Sequence, residues 1–152
     1  MPASPATAES SAALVRLVTA LESSLPMYLA TSGIQTYPGA DAVRAALMRL
    51  VEEQKHIVGQ AATVLDEREI AAPRPFYPLA YTALHDIQLR HLLPRLVAEL
   101  RRQAEACDAI AVEAAGSDAS ATTLARDAAA VTRRHLGLLE ELARGSDPAP
   151  AS

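Results

Sequence analysis

Residues 41–68 read DAVRAALMRLVEEQKHIVGQAATVLDER. Val43, Leu47, Leu50, Gln54, Ile57, Ala61 and Val64 recur at intervals of 4, 3, 4, 3, 4 and 3. Such steps return to one side of a 3.6-residue helix, so the stretch predicts an amphipathic helix from Asp41, a suitable N-cap, to about Arg68. Gln54 is the one polar residue on the stripe, and a buried amide at such a position reads as a device that fixes packing register.

Three further segments carry the same periodicity. Ser10–Thr31 has Leu14, Val18, Leu21, Leu25 and Tyr28 on one face, with Pro26 inside it. Pro78–Ala115 has His85, Leu89, Leu92, Leu96, Leu100, Cys107 and Ile110, with Pro94 inside it. Ser120–Arg144 has Leu124, Ala128, Val131, His135, Leu138 and Leu142. An internal proline removes a backbone hydrogen bond and crowds the preceding turn, so kinks are expected at Pro26 and Pro94. Breakers separate the segments: Gly33 with Tyr37-Pro38-Gly39, then Pro73, Pro75 and Pro78, then Gly116-Ser117-Asp118. Gly145, followed by Pro148, suits the end of the last helix.

These readings predict an all-α chain, an antiparallel up-down-up-down four-helix bundle over 10–145 with Pro-kinked first and third helices. Helices with this spacing pack at roughly 20°. Residues 1–9 and 146–152, rich in Pro, Ala and Ser, are expected as disordered tails.

Composition narrows the function classes. Half of the 152 residues are hydrophobic, only 3% are aromatic, and Trp is absent. Strands favour aromatic and β-branched residues, so an all-β fold is not expected. A formal charge of −4, with Lys55 the only lysine, argues against a nucleic-acid partner, whose affinity rests on basic residues. No apolar run approaches the ~20 residues that cross a bilayer. Cys107 stands alone, and the opening MPASPATAESSAA carries no secretory pattern, so a cytoplasmic location is expected.

The residues able to carry chemistry are the polar ones at or beside core phase. Glu52-Glu53-Gln54-Lys55-His56 is an EExxH run, with Glu53 and His56 three apart on nearly one helix face. By this motif and its four-helix pattern the chain resembles the ferritin-like superfamily, in which Glu-x-x-His on two helices and one Glu on each of the others build a metal cage. The resemblance implies ligands Glu53 and His56, Glu22 from the first helix, His85 or Asp86 from the third, and His135 from the fourth. The fourth helix departs from the pattern, since Thr132-Arg133-Arg134-His135 has the histidine without the glutamate. More imidazole than carboxylate suits a lone zinc or iron ion better than a di-iron pair. A turn near residues 69–77 would set His56 level with His85 and Asp86, and counting from the third loop sets His135 nearer His91. His135 and Glu140 also have the H-x4-acid spacing of the last helix in hemerythrin-like bundles, whose other motifs are missing.

Structural explanations stand beside these. Glu52 and Glu53 fit a solvated face, His56 a surface histidine paired with them, and His91 a rim residue. His85 and His135 fit core histidines bonded to a neighbour, because a buried imidazole needs a partner. Asp86 fits the N-terminal half of its helix. Tyr77 and Tyr81 are expected to close one bundle end, and Cys107, at core phase, to be an inert thiol. Two functions follow: a bundle holding iron or zinc, or a metal-free interaction or assembly module, including a homo-oligomer that covers leftover apolar surface.

Overall fold

The computed structural model describes residues 11–31, 41–84 and 89–146, and the described part is helical with no strand. Its elements are α1 (Ala12–Glu22), α2 (Leu25–Thr31), α3 (Asp41–Glu67), a 3-10 helix (Leu79–Leu84), α4 (Leu89–Ala114) and α5 (Ala119–Ser146). Of the expected tails, residues 1–9 and 147–152 lie outside the described residues, as do the turn at 33–39, His85 and Asp86, whereas Ser146 is the last residue of α5.

The first segment is two helices. Ser23 and Ser24 break it: the Ser24 hydroxyl donates to the Leu21 carbonyl at 2.8 Å and accepts from the Met27 N–H at 3.4 Å. Ser24 thereby caps α2. Pro26 falls in the first turn of α2, where its missing N–H has no helical partner to lose, so the interruption precedes the proline. Pro94, by contrast, lies within a continuous α4. The third segment, expected from Pro78, begins as the short 3-10 helix, and α4 starts only at Leu89.

Burial divides the core in two. One cluster joins α2, the first half of α3 (Val43 to Val51), Tyr81 and Leu84, the first half of α4 (Leu89 to Leu100) and Leu136 and Leu139 of α5. The other joins α1, the second half of α3 (Ile57 to Leu65), the second half of α4 (Cys107 to Ala114) and the first half of α5 (Ala121 to Ala129). α3 and α4 therefore run in the same direction, and α1–α2 and α5 run against them. Side by side, α1 packs on α3 and α4, and α5 packs on the same two, leaving α3 and α4 on a diagonal.

The up-down-up-down order is thus corrected to up-down-down-up. The cause is the Pro-rich connection after α3. Ile70 still packs on the second cluster, while Tyr77 packs on the first. Seven residues in extended form cover about 25 Å, enough to return along most of the bundle. The connection is pinned along the way. The Phe76 N–H donates to the Ser23 hydroxyl at 2.9 Å. Tyr28 meets Tyr77 and Tyr81 with ring centroids 5.2 and 5.4 Å apart, an aromatic group that packs on the first cluster. Tyr81 lies along the bundle's side beside Ala20 and Gln103, not at an end as expected of it.

One end of the bundle is held by charge. Arg68, just past α3, donates to both carboxylate oxygens of Asp118 at 2.8 and 3.0 Å and to the Ser11 hydroxyl at 2.9 Å. Asp118 also caps α5 by accepting the Ala121 N–H at 3.2 Å. No helix among the described residues is long and apolar enough to cross a membrane.

Candidate functional site

Between the two apolar clusters lies a polar layer. Gln54 of α3 is fully buried, and its Nε2 donates to Gln103 Oε1 of α4 at 2.8 Å and to Thr132 Oγ1 of α5 at 3.3 Å. Gln103 in turn donates to the Ala20 carbonyl of α1 at 3.1 Å. All four rods meet there through hydrogen bonds, which is what a buried amide needs to offset its desolvation. Gln54 thus sits where the sequence set it, on the core stripe.

Glu53, next to Gln54, faces α5. His135 Nε2 bonds one of its carboxylate oxygens and Arg134 the other. The hydrogen bond from His135, helped by Arg134, holds the Glu53 carboxyl below its ordinary range. His135 is buried, with 6% of its surface exposed, whereas Arg134 stays largely in water. The count that put His135 nearer His91 is corrected: His135 lies level with Glu53, because α5 runs antiparallel to α3 beside it.

His56 is exposed. It lines an open groove between α3 and α5 of about 900 Å³, together with the apolar Ile57, Ala130 and Val131 and the charged Glu52, Asp127 and Arg134. Beyond the Glu53–Arg134 pair a second groove of about 560 Å³ lies between the same two helices, lined by Arg49 and Leu138. The level pairing of His56 with His85 and Asp86 rested on a short second turn and loses that basis with the crossover. Leu84 and Leu89, which flank those two residues, belong to the first cluster, and Ile57, beside His56, belongs to the second.

Glu22 is half-buried at the end of α1, and burial pushes its carboxyl up. Among the described residues no three His, Cys, Asp or Glu side chains are placed to share one ion. Of the proposed ligands, the structure brings together Glu53 and His135, and sets His56 on the adjoining groove. His91 is exposed, as expected of a rim residue. Cys107 is fully buried and its thiol is pushed up to about 11 by that burial, which leaves it protonated and unreactive.

Chemically, Glu53 is a carboxylate whose two oxygens are already engaged by donors, so it is a weak base. The partners of this layer are the part the sequence reading missed. Gln103 lies three residues after Leu100 and four before Cys107, at the vacant step of its stripe, and its polarity hid it. Thr132 follows Ala128 by four. Arg134 had no comparable signal, since its partner is 81 residues away. No protein-family model, no curated protein and no solved structure matches this chain.

Proposed function

We propose that the chain is a helical assembly module that pairs with a second copy of itself through the α3–α5 face. The observation that carries the reading is the two neighbouring grooves on that face, lined by apolar side chains together with charged ones. Asp127 and Arg134 are seven residues, two turns, apart on α5. A two-fold axis between them sets Asp127 of each copy against Arg134 of the other, so one surface serves both copies. Exposed Leu138 and Met48 extend the apolar part along α5 and α3. We also infer a ferritin-like architecture, supported by the single long crossover between two antiparallel pairs, which is how ferritin-like bundles are connected.

Sedimentation of the full chain tests the pairing. A dimer at micromolar concentration that becomes a monomer in Ala130→Arg supports it. Ala130 is exposed, so the variant leaves each bundle intact. A wild-type monomer, or an unchanged dimer in the variant, overturns it.

A second reading, a metal ion held by Glu53, His56 and His135, is favoured by one observation: Glu53 and His135 meet across two helices beside His56. The donor set does not fit an ion as it stands, because Arg134 engages the carboxylate and no third ligand converges. Elemental analysis of untagged protein decides. Stoichiometric iron or zinc lost in both Glu53→Ala and His135→Ala supports the ion. Metal-free protein whose melting temperature ignores added iron and zinc removes it, since a ligand of the native state must raise stability.

A further inference from the structure

We propose that the polar layer is a water-binding site, in which an internal water donates to Gln54 Oε1 and His135 Nδ1 and accepts from the Thr132 hydroxyl. The orientation of each group follows from a chain of constraints. The Ala20 carbonyl can only accept, so Gln103 must turn Nε2 toward it. That leaves Gln103 Oε1 facing Gln54, which must therefore present Nε2. The same Nε2 also reaches Thr132 Oγ1. Gln54 Oε1 is then forced to the other side of its amide, fully buried, with no donor.

The histidine is constrained in the same way. Its Nε2 lies against the Glu53 carboxylate, which repels a lone pair and attracts a hydrogen. The neutral ring is therefore the Nε2–H tautomer, with a lone pair on Nδ1. That nitrogen is buried and unpartnered as well. Two acceptors thus lack donors inside one layer. Left dry, each keeps the full desolvation penalty of a buried acceptor without a donor.

Thr132 connects them. It accepts from Gln54, its own hydroxyl hydrogen remains to be given, and His135 follows it by three residues on the same side of α5. Water supplies two donated hydrogens and accepts a third, which matches two orphan acceptors and one spare donor. Buried waters commonly make about three such bonds. An apolar ligand satisfies none of these groups.

The test is water–protein cross-relaxation by NMR on the full chain. A long-lived water giving cross-peaks to the Gln54 side-chain amide and the Thr132 backbone amide, lost or weakened in Thr132→Val, supports the site. Gln54→Met serves as a second variant and should weaken the Thr132 cross-peak in the same way. Absence of the cross-peaks in the wild type overturns the proposal. So does a Thr132 cross-peak unchanged in both variants, or a His135 ring whose nitrogen shifts show the neutral Nδ1–H tautomer.

Discussion

The side-chain amides of Gln54 and Gln103 meet at 2.8 Å across the diagonal of the bundle, joining two helices that otherwise hardly touch. α3 and α4 run parallel here, connected by a crossover rather than a turn. A polar bond at their midpoint opposes sliding of one along the other, because any axial shift would leave two buried amides unpaired. The bond works as a register pin for the two apolar clusters above and below it.

Replacing both partners should cost less than the two single replacements added together. Gln54→Leu leaves Gln103 Oε1 and Thr132 Oγ1 without their donor, at a cost of about 1–3 kcal/mol. Gln103→Leu orphans Gln54 and the Ala20 carbonyl in turn. The double variant removes both amides, so urea unfolding should show a loss smaller than the sum of the single losses. Additive losses would mean that the pair is not coupled.

Acid should unfold the protein partly through Asp118. The Arg68 guanidinium hydrogen-bonded to this buried carboxyl holds it below the ordinary aspartate range. The folded state therefore takes up the proton less readily than the unfolded chain. The resulting stability is fully present above the ordinary value of about 3.9 and is lost as pH falls below it. Glu53, also lowered, acts in the same sense. Glu22, raised by burial, acts in the opposite sense and loses its contribution as pH rises through its folded value. Asp118→Asn should flatten the acid limb of a stability-against-pH curve. Asp118→Ala should cost about 2–4 kcal/mol near neutrality, from a stranded arginine and a lost helix cap.

Two neighbours on α5 share Glu53 yet should differ in weight. His135 is buried, so His135→Ala removes a packed ring and a buried hydrogen bond, about 2–4 kcal/mol. Arg134 is mostly in water, and Arg134→Ala should cost no more than about 1 kcal/mol. Thermal unfolding of the two variants should separate them by several degrees. Equal effects would mean that the outer pair, rather than the inner one, secures α3 to α5.

The helices were legible because their apolar residues recur at helical steps, and Val43 to Val64 and Leu124 to Leu142 both lie on helices. The course between them was not. Ala71 to Pro78 has no periodicity, and three prolines look alike in a tight turn and in an extended strap. Only length argues for the strap, since bundle turns usually take 2–8 residues and far more separate Glu67 from Leu89. Depth in the bundle depends on that connection, so the level of His56 could not be counted from a short turn. The contact of Glu53 with His135 needed the antiparallel placement of α3 and α5 as well as the motif. Arg134, on the exposed side of α5, gave no sign in a pattern read from apolar residues.

Alanine should have opposite effects at two glycines. At Gly137, inside α5, a Cβ would meet nothing within 4 Å. Glycine there only adds freedom to the unfolded chain, so Gly137→Ala should stabilise by about 0.5–1 kcal/mol. At Gly116 a Cβ also has room, but the backbone sits at φ +84° in the turn joining α4 to α5. Side chains raise the energy of that left-handed conformation, so Gly116→Ala should destabilise by about 1–2 kcal/mol. Gly116→Asn should cost less, because asparagine tolerates this region better. Urea denaturation measures all three. If alanine stabilised at both positions, the turn before Asp118 would have to adopt another backbone, and the cap it delivers to α5 would be misplaced.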